Sequence, residues 1–227
     1  MLLVEHLAFR HPRRHDDGGD PIAGTVERES VAGVVFGVLF GSTIVLLRTA
    51  LPPAPASPWA HHHSQITIAL VLAPFAGIAF LWFIGVVRDR FGELEDRFFA
   101  TVFLGSGLLF LATMFVSMAL AGGLLAVSRT STTPQDELVY FGREVMLHVS
   151  NVYGVRMAAV FMISLGTIWL RTGLMPRWLA IITYVFALGL LVVVSFSLWV
   201  TLVFPAWVVV ISAYILGADR GRSSHPD

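Results

Sequence analysis

Long runs of uncharged, mostly apolar residues alternate with short polar segments along the chain. Four runs contain no charged residue, at positions 31–47, 66–87, 98–128 and 178–218. The hydrocarbon core of a bilayer is about 30 Å thick, and a helix that rises about 1.5 Å per residue needs about 20 residues to cross it. The pattern therefore predicts membrane-spanning helices.

The last of these runs is too long for one crossing, because its 41 residues would form a helix of about 61 Å. We predict that it turns back near residues 200–204, where Pro205 stands between two tryptophans of the kind found at headgroup interfaces. A further run, 152–170, is apolar except for Arg156. We expect six spans, at about residues 31–51, 66–87, 98–127, 152–170, 178–199 and 203–218.

The arginines predict which way the chain crosses the membrane, since positively charged segments resist translocation. With the amino terminus in the cytoplasm, six spans place eleven arginines on the cytoplasmic side and four on the outer side. We therefore expect an all-α, polytopic transmembrane helix bundle with both termini cytoplasmic. Residues 1–30 would form a cytoplasmic segment, 31–218 the transmembrane domain and 219–227 a cytoplasmic tail.

Composition agrees with this fold class and excludes several functions. Of the 227 residues, 56% are hydrophobic and 13% are charged, whereas soluble domains carry about 25% charged residues. The chain has no cysteine, which excludes disulfides, thiolate metal ligands and cysteine nucleophiles, and its net charge of zero gives no electrostatic case for binding nucleic acid. We expect a multi-pass protein of the inner (cytoplasmic) membrane, surrounded by the lipid bilayer.

Small residues recur at helical spacing in three of the predicted spans. Helices in lipid associate largely through close packing, which small side chains permit. Two interpretations are open: these faces pack against other helices of the same chain, or they dock a helix of a separate membrane subunit. The positions are Gly33, Gly37 and Gly41 in the first span, Ala69, Ala73 and Gly77 in the second, and Gly154 and Ala158 in the fourth.

The segment before the fourth span is the most polar stretch close to the membrane. Tyr140, Glu144, His148 and Asn151 share one face of a helix, since their spacings are four, four and three. Together with Arg156 they form a candidate outer site, either a pocket for a lipid headgroup or a proton-linked Glu/His pair. The alternative is an amphipathic surface helix with a hydrated polar face. Arg156 would then reach towards the interface or pair with Glu144.

No motif in the sequence indicates catalysis or a metal site. His61, His62 and His63 are adjacent in a loop without acidic residues, so we expect a solvated tract rather than a zinc site. The membrane-embedded parts of the first, second, third, fifth and sixth spans contain no Asp, Glu, His, Lys or Arg, which argues against an ion-coupled transporter. Phosphate-binding loops, a G-x-S-x-G elbow and H-E-x-x-H are all absent, so we expect no enzyme activity, no catalytic residues, no metal and no cofactor.

The turn at residues 85–92 reads G-x-x-x-D-R-x-G, which is similar to the loop between the second and third helices of major facilitator transporters. Those transporters normally have twelve spans, and they carry a basic pair where this chain has Glu93 and Leu94. A tight turn with balanced charges is therefore the favoured interpretation.

Two longer stretches, residues 80–112 and 139–191, resemble uncharacterised multi-pass membrane proteins of actinobacteria, including the DUF4386-like group. The most distinctive part is RTGLMPRWLA, in which Gly173 ends one helix and Pro176 begins another. The chain is also similar in size and span number to the small accessory membrane subunit of mycobacterial Mce-type lipid importers. The resemblance implies no catalytic residues.

From these observations we expect a non-catalytic accessory or stabilising subunit of a larger inner-membrane complex. Its partners would be other integral membrane subunits, such as the permease of a lipid importer. The alternative is a small transporter or lipid-binding protein that acts alone through the face of Glu144, His148 and Asn151.

Overall fold

The computed structural model describes residues 21–50, 63–91, 97–130, 136–173, 175–192 and 199–223. These ranges are helical apart from short turns, and they contain no strand. The helices are α1 (Pro21–Ala50), α2 (His63–Phe91), α3 (Arg97–Thr130), α4 (Asp136–His148), α5 (Val155–Thr172), α6 (Arg177–Val192) and α7 (Val203–Ser223). A π-helical turn, Val149–Gly154, joins α4 to α5, and a 3-10 turn, Val200–Leu202, precedes α7.

Five of the described helices are long and apolar enough to cross a membrane. The described part of the chain is thus all-helical, and the protein is a multi-pass membrane protein surrounded by lipid. The fifth predicted span, 178–199, corresponds to α6, whose 16 described residues extend about 24 Å. Positions 193–198 of that predicted span lie outside the described residues. The first helix begins at Pro21, ten residues before the predicted start of its span.

The fourth predicted span is the second half of a longer helix. A separate surface helix was one interpretation of the polar stretch before it, but α4 continues without a break into α5. The π-helical turn keeps the backbone hydrogen-bonded, since the N–H of Val155 donates to the carbonyl of Ser150, five residues earlier. The polar residues therefore lie on the same continuous helix as the apolar span.

Phenyl rings from five helices meet at the centre of the bundle. The ring of Phe80 on α2 lies 4.6 Å from Phe36 on α1, and 5.5 Å from Phe110 on α3, measured between centroids. It also lies 5.5 Å from Phe161 on α5 and 5.8 Å from Phe204 on α7. All five side chains are buried. We call these five residues the phenyl centre; they hold the helices around one apolar core, with α6 packed outside against α5.

Two turns follow the local sequence as expected. Gly173 ends α5 with a left-handed φ of 67°, and its N–H donates to the carbonyl of Trp169 over 3.0 Å. A side chain would be strained in that conformation, which explains the glycine. Pro205 lies in the first turn of α7, where its missing N–H removes no helical hydrogen bond.

Candidate functional site

The glycine stripe of α1 faces α7 over most of its length. A Cβ atom on Gly33 would collide with the side chain of Ser212, and one on Gly37 would collide with Val209. The third member, Gly41, has no atom within 4 Å of such a Cβ. The first two glycines therefore allow α1 and α7 of the same chain to approach each other closely.

The other small residues also lie at helix contacts within the bundle. A Cβ on Gly77 would lie 3.0 Å from a ring carbon of Phe115, and one on Gly154 would lie 3.1 Å from the hydroxyl of Thr113. Both neighbours belong to α3. The three alanines of these stripes, Ala69, Ala73 and Ala158, are buried. These faces are thus occupied by helices of this chain.

The predicted polar face does not converge on one point. Tyr140 is 57% exposed. His148 is also exposed, with Nδ1 2.9 Å from the backbone carbonyl of Glu144. The carboxylate of Glu144 accepts a hydrogen bond from Arg143 at 2.7 Å, whereas Asn151 contacts a different helix. The proton-linked pair of Glu144 and His148 side chains is not formed.

Arg156 lies apart from this region and is exposed. The suggested pairing with Glu144 is not formed, because the two residues are twelve positions apart, which corresponds to about 18 Å along a helix. The nearer Arg143 pairs with the Glu144 carboxylate instead.

The structure brings an unexpected residue to this end of the bundle. Arg48, in the last turn of α1, is only 6% exposed. Its Nη2 atom donates to Oδ1 of Asn151 over 2.6 Å and lies 3.5 Å from Oγ of Ser150. Both acceptors belong to the π-helical turn, which therefore presents two consecutive polar side chains to α1. Turns of this kind occur often at functional sites.

Arg143 is the second buried arginine of this region and is 8% exposed. Arg143 and the buried Ser150 lie seven positions apart on the same continuous helix. Together with Glu144, Ser150 and Asn151, the two arginines form what we call the Arg48 cluster. It contains two guanidinium groups but a single carboxylate, so its side chains carry one excess positive charge when all three groups are ionised.

Several donors of the Arg48 cluster have no acceptor. Among the described residues, Nε and Nη1 of Arg48 and Nε of Arg143 are buried without a hydrogen-bond partner. In the sequence, Arg48 is distinguished only as one of the arginines that predict orientation. A polar side chain in the last turn of an apolar helix was the available signal, but no spacing in the sequence connected it with Asn151.

An apolar groove lies between α1 and α2, towards the end opposite the Arg48 cluster. It has a volume of about 1040 Å³, and its lining includes Val35, Phe75, Ile78 and Trp82, with Asp89 at one end. Trp82 is 68% exposed and Phe75 is 57% exposed. We call this surface the α1–α2 groove.

No metal site is found among the residues that the structure describes. Of the predicted histidine tract, His61 and His62 lie outside those residues, and His63 is the first residue of α2.

Comparisons with protein-family models, curated proteins and solved structures find no match to this chain.

Proposed function

We propose that this chain is a non-catalytic accessory subunit of a larger inner-membrane complex, and that it binds a helix of a partner subunit in the α1–α2 groove. The observation that carries the proposal is the groove itself, which combines a volume of about 1040 Å³ with two exposed aromatic side chains. Large aromatic residues in a concave surface are typical anchors of protein interfaces.

The contacts of the small residues support this choice of surface. Because Gly33 and Gly37 face α7, a partner helix would meet large side chains rather than the glycine stripe. Gly85 lines the groove, and a Cβ atom at that position would have open space around it within the described part of the chain. A partner backbone could therefore approach α2 closely there.

Lipid transport is the function we propose for the complex as a whole. Its support is the resemblance of residues 80–112 and 139–191 to actinobacterial membrane proteins and the similarity in size to the accessory subunit of Mce-type importers. The partner subunit in that setting would be the permease.

The alternative of a small transporter that acts alone has less support. The side chains of Glu144, His148 and Asn151 do not gather into one site, and the phenyl centre fills the space between five helices. Flux of solute through the reconstituted chain, reduced by Glu144→Gln, would favour the transporter over the accessory subunit.

Co-purification from native membranes tests the proposed function. We expect a larger membrane protein to be recovered in fixed ratio with the tagged chain after gentle detergent extraction. Phe75→Ala and Trp82→Ala should each reduce that ratio, because both remove an exposed anchor of the groove.

The matched control is Phe186→Ala on α6. Phe186 is also a largely exposed aromatic residue, 49% by area, but it lies outside the groove. It should leave the ratio unchanged. Equal recovery of the partner with Trp82→Ala and with the wild-type chain would refute docking in the groove.

A further inference from the structure

We propose that the Arg48 cluster is a binding site for a phosphate group, supplied either by a phospholipid headgroup or by a free phosphate anion. The proposal concerns the end of the bundle opposite the α1–α2 groove and does not depend on a partner subunit.

Within the described residues, several buried N–H donors of the Arg48 cluster have no acceptor. A guanidinium group has five N–H donors, and the described residues provide acceptors only at Nη2 of Arg48. Its Nε and Nη1 atoms, and Nε of Arg143, are buried without an acceptor in the part of the chain that the structure describes. Buried donors of a charged group are costly when they stay unpaired, so an additional acceptor would stabilise the folded chain.

The excess positive charge of the Arg48 cluster also favours an anion over water. Water could accept hydrogen bonds from these donors, but it would leave the excess positive charge of two arginines against one carboxylate. An oxyanion satisfies the donors and neutralises the charge at the same time. Phosphate is a favourable match, because guanidinium groups form strong charge-assisted hydrogen bonds with its oxygens.

The Arg48 cluster lies at one end of the apolar part of α1. Arg48 lies 17 residues after Val31, the first residue of the apolar part of α1. This separation corresponds to about 26 Å, close to the thickness of the hydrocarbon core. The cluster therefore lies near the level at which headgroup phosphates are found. The side chain of Glu144 is 35% exposed, so this edge of the cluster reaches the surface of the described structure.

Other arginines in the described helices show that this arrangement is specific. Arg129 is exposed and donates to Thr67 over 3.1 Å, and Arg156 is exposed on the same continuous helix as Arg143. Exposed arginines of this kind can be solvated at the membrane interface. Arg48 and Arg143 are instead held inside the bundle.

Thermal unfolding of the purified, delipidated full chain in an uncharged detergent tests the site. The probes are dioleoylphosphatidylglycerol, dioleoylglycerol, which has the same acyl chains without the phosphate, and inorganic phosphate with chloride at equal ionic strength as its control. We expect at least one phosphate-bearing probe to raise the melting temperature of the wild-type chain, and dioleoylglycerol and chloride to leave it unchanged.

The pattern of responses identifies the source of the phosphate. A response to phosphatidylglycerol alone assigns the site to a lipid headgroup, whereas a response to inorganic phosphate as well assigns it to a phosphate anion irrespective of acyl chains. A wild-type chain that responds to neither probe, or equally to dioleoylglycerol, overturns the proposal.

Two substitutions assign the response to the cluster. Arg48→Gln should weaken the apparent affinity for the effective probe by about tenfold or more, since charge-assisted hydrogen bonds are lost. Asn151→Asp places a carboxylate beside Arg48 and removes the excess charge. It should fold without the probe, melt at or above the wild-type temperature and lose the response, which keeps the test valid if Arg48→Gln does not fold.

Arg156→Gln is the matched control, because it removes the same charge from an exposed position on the continuous α4–α5 helix. It should retain the wild-type response. An equal loss of response in Arg156→Gln, or a full response in Asn151→Asp, would show general surface electrostatics instead of a site and would overturn the proposal.

Discussion

The phenyl centre and the Arg48 cluster are both buried, but they differ in how completely their groups are satisfied. Phe80 has four rings within 6 Å of its own centroid, one from each of four other helices, and these rings require no hydrogen bonds. Arg48 is almost as inaccessible, yet only one of its three nitrogens has an acceptor among the described residues, and a second guanidinium group of this region, Arg143, is also buried.

This difference indicates that the two regions contribute to stability under different conditions. Packing of rings depends on shape and dispersion, which neither salt nor headgroup charge alters greatly. A cluster with excess charge and open donors is stabilised by whatever anion it contacts. The stability of the phenyl centre should therefore depend little on salt and headgroup charge, whereas that of the Arg48 cluster should depend on the anions around it.

Phe80→Ala should have the largest effect, because it removes the ring that the other four contact. In lipid the transfer contribution is small, so the cost comes mainly from the cavity, about 2–3 kcal/mol in the free energy of unfolding. Titration with dodecyl sulfate in mixed micelles measures it. Phe75→Ala, on the same helix but 57% exposed, should cost far less. Equal losses would mean that the centre does not hold the helices together.

Gly37→Ile should have the next largest effect, because its side chain would collide with Val209 and separate α1 from α7. Overpacking of this kind costs about 2 kcal/mol. The same unfolding titration should show a much smaller change for Gly41→Ile, where a Cβ meets nothing within 4 Å. A Gly41 variant as unstable as the Gly37 variant would contradict the observed contact between α1 and α7.

The apolar architecture was predictable because its determinants are local. Charge-free runs of sufficient length specify membrane helices, and Gly173 specifies the end of α5 through its left-handed conformation. The turn before α7 was also placed within a few residues, since a helix of 41 residues cannot fit one crossing. None of these inferences needed knowledge of which helices are neighbours.

The Arg48 cluster was not predictable because it depends on contacts between distant residues. Arg48 and Asn151 are separated by 103 positions, and their hydrogen bond requires α1 to lie beside the π-helical turn. The spacing of Tyr140, Glu144 and His148 correctly predicted a helix. It did not indicate that the Glu144 carboxylate would pair with Arg143. Helical periodicity places residues on a face and does not identify the neighbouring helix.

Asn151→Ala removes the closest acceptor of the buried Arg48 guanidinium group, and it should destabilise the protein more than removal of that group does. Loss of the amide leaves Nη2 of Arg48 without its 2.6 Å acceptor, so we expect a cost of about 1 kcal/mol or more in delipidated protein. Arg48→Met removes the charge and keeps much of the volume, and should change stability less. The order of the two variants in the unfolding titration decides this point: a more severe loss in Arg48→Met would mean that the arginine is fully satisfied.

Arg156→Gln should have the smallest effect on stability, within about 0.5 kcal/mol of the wild-type chain, as is usual for surface substitutions. Arg156 is exposed, and Glu144, its suggested partner, forms its ion pair with Arg143.

The matched variant is Arg143→Gln, which removes the same charge from a buried position on the same continuous helix and leaves the Glu144 carboxylate without its 2.7 Å donor. Arg143→Gln should therefore lower the free energy of unfolding more than Arg156→Gln, and much of the difference should be retained at high salt because partly buried pairs are screened less than exposed ones. If the two variants were equally stable at low and high salt, the burial of Arg143 would have no energetic consequence, and the Arg48 cluster would behave as a solvated surface.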